Sequence, residues 1–122
     1  MTEEMNPLTM TQKRFERRIQ DAREIVEAFT KRMESDGAAY AFAWAQDAME
    51  AASVVSIYTL ALDWLNRMGA EKAAAELKRA CLRNLENPCF STAPCANLMH
   101  QIEGKTMVKA MQMVEELIEA KW

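Results

Sequence analysis

The longest unbroken pattern in the chain is Ala38–Met68, AAYAFAWAQDAMEAASVVSIYTLALDWLNRM, which holds neither glycine nor proline. Its polar residues Asp47, Glu50, Ser53, Ser56, Thr59, Asp63 and Asn66 recur every three or four positions. On a helix that spacing forms one narrow stripe and leaves the remaining circumference apolar. Residues 54–59 taken alone have strand-like propensity, but the stripe passes through them at helical spacing and periodicity decides the assignment. A helix apolar over most of its girth must be covered over most of its girth. The segment is therefore expected to be the long, mostly buried central helix of an all-α, four-helix bundle-like domain. Asp47, Glu50, Asp63 and Arg67 interrupt it, so no uncharged apolar run reaches the length of a membrane span.

The flanking patterns supply the other helices. Phe15, Ile19, Ala22, Val26, Phe29 and Met33 step by 4, 3, 4, 3 and 4, a heptad seam that Leu8 and Gln12 extend backwards and Ile25 broadens. Thr9 and Gln12 have the spacing of a capping box, which sets the expected start, and Gly37 supplies the stop. Residues 1–8, polar and ending in Asn6-Pro7-Leu8, are read as a flexible arm. After Gly69, a third helix places Ala73, Ala74, Leu77, Cys81 and Leu85 on one side, and Pro88 limits its extension. Residues 87–94, NPCFSTAP, read as a loop in which Ser91 or Thr92 caps a final helix, with Pro94 in its first turn. That helix runs through Leu98, Ile102, Met107, Met111, Val114 and Ile118. Gly104 lies inside it, and the spacing favours continuity over a break there. The expected helices are about 9–35, 38–68, 70–86 and 93–121, all in one domain covering 9–122.

Helices of 25 to 30 residues are about 40 Å long at 1.5 Å per residue. A compact monomer of this size is only about 27 Å across. The mismatch argues for a homodimer in which a second protomer covers the heptad seam of the first helix or the aromatic end of the central helix. Tyr40, Phe42 and Trp44 point in different directions around that helix, so they cannot all face one neighbour within the chain.

Composition narrows the class. With 122 residues, half of them hydrophobic, and three glycines and three prolines, the chain is a single folded domain and not a disordered one. Fifteen basic against eighteen acidic residues give a net charge of −3, so nucleic-acid binding would depend on a local patch. The first residues carry no secretion pattern. Three cysteines, an odd number, then suggest reduced thiols and a cytoplasmic location.

Cys81, Cys89, Cys95 and His100 read as C-x7-C-x5-C-x4-H and include every cysteine and the one histidine. The set resembles the CCCH zinc fingers, a likeness that implies tetrahedral zinc and single-stranded RNA as ligand. The final step is one residue longer than in those fingers, and Cys81 and His100 fall inside helices, where the fingers have little regular structure. We therefore read Cys81 as a small core residue, expect no metal and assign no cofactor.

Lys13, Arg14, Arg17 and Arg18 form a basic patch on the first helix away from its seam, a possible phosphate-binding surface. Glu16, Asp21 and Glu24 are interleaved with it and support ordinary pairs along the helix. Ten methionines are many for this length, and methionine adapts to irregular partners. Met99 and Met113 fall off the apolar face of the last helix and, with Trp122, are expected at a protein-binding surface along with Tyr40, Phe42 and Trp44. Asp47 and Glu50 lack a base, nucleophile or phosphate loop around them, so no catalytic residue is assigned. The expectation is a small helical regulator, an anti-activator, inhibitor or adaptor that binds another protein and has no enzymatic activity. A nucleic-acid-binding regulator using the basic patch, with or without zinc, is the alternative.

Overall fold

The computed structural model describes residues 6–86 and 94–119, apart from the side chains of residues 36, 38–42 and 94–96. Four helices are present: α1 Pro7–Asp36, α2 Ala38–Met68, α3 Ala70–Glu86 and α4 Pro94–Glu119. The described residues contain no strand, and the helices pack against one another as an all-α, four-helix bundle-like fold.

Three side-chain contacts define the topology. Gln12 Nε2 donates to Asn66 Oδ1 at 2.6 Å, which places the start of α1 beside the end of α2. Arg14 Nη1 lies 3.4 Å from Glu116 Oε2, so the start of α1 also meets the end of α4. Asn84, near the end of α3, bonds His100, near the start of α4. The bundle therefore runs up, down, up, down.

Two single glycines make the tight turns. Gly37 has φ 73 and ψ −152, and Gly69 has φ 88 and ψ 167, regions in which a Cβ is strained. The Gly37 N–H bonds Met33 O at 3.0 Å and the Gly69 N–H bonds Leu65 O at 3.2 Å, which satisfies carbonyls that the helix ends would leave open. One residue then suffices to reverse the chain.

α1 begins two residues earlier than its capping box implied. Asn6 is the N-cap, its Oδ1 accepts the Thr9 N–H at 2.8 Å, and Pro7 occupies the first turn. Proline fits there because its missing N–H has no intrahelical acceptor at that position. Thr9 is thus a donor to the cap, and the last residues assigned to the arm belong to the helix.

The core is concentrated where all four helices meet. Phe15 and Ile19 of α1, Ile57, Tyr58, Ala61 and Leu65 of α2, Ala73 and Leu77 of α3, and Ala110, Met113 and Val114 of α4 form one buried cluster. The Phe15 and Tyr58 rings meet edge to face with centroids 5.3 Å apart, the geometry that the ring quadrupoles favour. Burial fades toward Gly37. Val26 and Phe29 are half-buried, while Met33 and Trp44 are exposed. The cause is length: at 1.5 Å per residue α2 spans about 46 Å and α3 only about 26 Å, so the α1–α2 hairpin extends past the end of α3.

Three burial expectations change. Ser53, placed on the solvent stripe of α2, is 0% exposed. α4 packs on both α2 and α3, so its buried line follows Ile102, Thr106, Ala110, Met113 and Val114, rotated from the Met107–Met111–Ile118 face. Leu85, expected on the inner side of α3, is 75% exposed. α4 is continuous through Gly104. Residues 43–68 of α2 have the length and mean hydropathy to cross a bilayer, and a third of their most apolar window is buried in the bundle, including core residues Ile57, Tyr58, Ala61 and Leu65.

Candidate functional site

α1 and α4 both pack on α2 and touch each other far less, with the Arg14–Glu116 pair bridging them. Between them opens a groove of about 600 Å³. Its floor is made of Ala22, Ala51, Ile102 and Thr106, with Tyr58 beneath. The groove exists because two seam positions, Ala22 and Ala51, carry alanine where larger side chains would fill the space. Arg18, Lys105 and Lys109 line it together with Asp21, Asp47 and Glu50. All six are exposed, so Asp47 and Glu50 are rim carboxylates. Burial raises the Tyr58 hydroxyl above its ordinary range, opposed by the positive charges of Arg18 and Arg14.

A second groove, about 510 Å³, runs between α3 and α4. Cys81, Leu85, Gly104 and Val108 give it an apolar lining, and Asn84, His100, Gln101 and Lys105 border it. Leu85 and Val108 are exposed, and Leu82 is exposed one helical turn from Lys78 and Leu85 on α3. The buried Cys81 thiol is pushed up, first by burial and further by the charge of Glu115, against its own backbone hydrogen bond. A thiol held protonated is a poor nucleophile.

The residues singled out from the sequence separate into distinct environments. Met113 is 5% exposed and belongs to the core cluster; the expectation that it lies on the surface is corrected, because α4 buries two adjacent faces. Met99 is half-buried and Trp44 is 50% exposed. The side chains of Tyr40 and Phe42, and the whole of Trp122, lie outside the described residues. So do Cys89 and the Cys95 side chain, while His100 Nε2 sits 3.0 Å from Asn84 O. Among the described residues no group of three or more His, Cys, Asp or Glu side chains is placed to hold a metal ion. Lys13, Arg14, Arg17 and Arg18 are all exposed on α1, but Arg14 reaches Glu116 and Arg18 turns to the groove. The four do not form one isolated basic face.

Neither groove was read from the sequence, since each depends on which helices neighbour one another. The available signal was small residues interrupting apolar seams: Ala22 and Ala51 in one case, Gly104 in the other. The chain matches no model of a known protein family, no curated protein and no solved structure.

Proposed function

We propose that the protein is a small helical regulator that acts by binding another protein, in the manner of an anti-activator, inhibitor or adaptor. The observation that carries this reading is the exposed apolar surface bordering the α3–α4 groove, where Leu82, Leu85 and Val108 lie open to solvent beside an apolar lining. Leu85 is 75% exposed at the edge of that groove, and exposed apolar surface marks interaction sites. The hairpin end adds Ile25, Met33 and Trp44, which a second protomer covers in a homodimer. Tyr40 and Phe42 belong to that same end of α2. In this reading the protein is cytoplasmic, carries no cofactor and catalyses no reaction.

Affinity capture from the native host, with the wild-type chain and a Leu82→Glu, Leu85→Glu variant as baits, tests the reading. One protein retained in stoichiometric amount by the wild type and lost by an equally stable variant supports it. The same proteins on both baits refute the assignment of this surface.

The second reading is a nucleic-acid-binding regulator, favoured by the exposure of Lys13, Arg14, Arg17 and Arg18 on one helix. It requires binding that weakens steeply with salt and is abolished by Arg14→Glu with Arg17→Glu. A shallow salt dependence counts against it.

A further inference from the structure

The groove between α1 and α4 has opposite charge at its two ends. Because α1 runs antiparallel to both α2 and α4, Arg18, Tyr58 and Lys109 share one end, and Ile25, Asp47 and Leu98 share the other. Asp47 and Tyr58 are about 16 Å apart along α2 at 1.5 Å per residue. Lys105 lies one turn from Lys109 and Glu50 one turn from Asp47, while Asp21 stands between the two ends, one turn from both Arg18 and Ile25. Among the described residues, none of Arg18, Lys105, Lys109, Asp21, Asp47 and Glu50 forms an ion pair. Lys109 and Asp47, at opposite ends, are thus separated by the length of the trough, and Arg18 and Asp21, one turn apart on α1, form no ion pair.

We propose that this groove is the interface between two copies of the chain, packed about a two-fold axis that crosses the groove at mid-length. The inference rests on the dimeric reading above and specifies which surface makes the dimer. A two-fold axis in that position reverses the direction of the groove. It therefore sets the basic end of each copy on the acidic end of the other, so that Lys105 and Lys109 face Asp47 and Glu50 of the partner subunit. An isologous contact has to be self-complementary in this way. An axis running along the groove would instead leave basic end facing basic end and acidic end facing acidic end.

Shape agrees with charge. Ile25 stands on the rim, 50% exposed, and the ridge Arg18–Asp21–Ile25 on α1 projects beside a trough floored by Ala22 and Ala51. Seating the ridge of each copy in the trough of the other is ordinary ridge-into-groove packing. It covers Ile25, half of which lies open in the protomer.

The test uses sedimentation velocity on the full chain over a range of concentrations. Variant A carries Asp47→Lys and Glu50→Lys, and variant B carries Lys105→Glu and Lys109→Glu. Wild type is expected to dimerise. Each variant alone is expected to associate roughly a hundredfold more weakly, because like charges then face each other across the interface. An equimolar mixture of A and B is expected to form a heterodimer, since every contact is again between opposite charges. Recovery in the mixture also shows that both variants are folded. A wild type that is monomeric throughout overturns the dimeric reading and this interface with it. A dimeric wild type whose variants A and B still self-associate, or whose mixture fails to recover, overturns the groove interface and leaves the dimeric reading standing.

Discussion

Asn84 and His100 bond each other twice across the junction of α3 and α4. His100 Nε2 lies 3.0 Å from the Asn84 backbone oxygen, and Asn84 Nδ2 lies 3.4 Å from the His100 backbone oxygen. The first contact makes Nε2 the protonated nitrogen, since a carbonyl can only accept. It satisfies a carbonyl in the last turn of α3, where helical partners run out. Replacing His100 by Ala is expected to lower stability by about 1 kcal/mol, the usual net value of such a bond. Urea unfolding measures this; an unchanged midpoint would show that the contact contributes nothing.

Asn84 also governs the effect of Gly104. A Cβ at Gly104 would stand 2.5 Å from Asn84 Oδ1, so the asparagine side chain must move when alanine is introduced. In a helix interior alanine gains about 1 kcal/mol over glycine. Gly104→Ala is expected to show that full gain only in an Asn84→Ala background, and a clearly smaller gain or a loss in the wild type. Equal effects in the two backgrounds, compared in a double-mutant cycle, would mean that the crowding is relieved without cost.

Ser53 is fully buried, and its Oγ has no hydrogen-bond partner among the described residues. A buried hydroxyl without a partner carries its full desolvation cost. Ser53→Ala is expected to stabilise the fold by about 1 kcal/mol, read as a higher unfolding midpoint. A lower midpoint would refute the orphaned state.

Position 113 should be far more sensitive to charge than position 85. Met113→Lys buries an ammonium group in the core and is expected to cost about 4 kcal/mol or more. Leu85→Lys changes a side chain that is 75% exposed and should stay within about 0.5 kcal/mol of wild type. Thermal unfolding of the two variants separates core from surface directly.

Alkaline pH should weaken the fold. Tyr58 is raised from an ordinary value of 10.0, mainly by burial against the opposing charges of Arg18 and Arg14. Cys81 is raised from 9.0, again mainly by burial. Both groups are neutral when protonated, so a raised folded value means that the native state holds the proton more tightly. Their contribution is complete below the unfolded values and is lost as pH rises through the folded ones. Stability should therefore fall above pH 9.0 for the thiol and above pH 10.0 for the phenol. Tyr58→Phe should flatten the later part of that fall, and an identical alkaline profile would show that the phenol does not contribute.

The α-helices and turns were legible because they are local. The absence of breakers over Ala38–Met68 and the glycines at 37 and 69 determine where helices run and reverse, since a positive φ is a property of one residue. The start of α1 was misplaced for an equally local reason: Asn6 and Thr9 are both residue types that cap helices, and in the fold the Asn6 side chain accepts the Thr9 N–H. Periodicity states that a helix has an apolar face, but it leaves open how many neighbours share it. That number is tertiary. α4 touches both α2 and α3, which drew Met113 into the core, and α3 is too short to cover the hairpin end, which left Trp44 exposed. One groove lies between the chain-distant α1 and α4 and the other between the consecutive α3 and α4, beside alanines and a glycine whose small size has meaning only next to their neighbours. The sequence by itself determined the helices and their order; the tertiary structure decided which faces remain open, because burial is a relation between helices and not a property of any one of them.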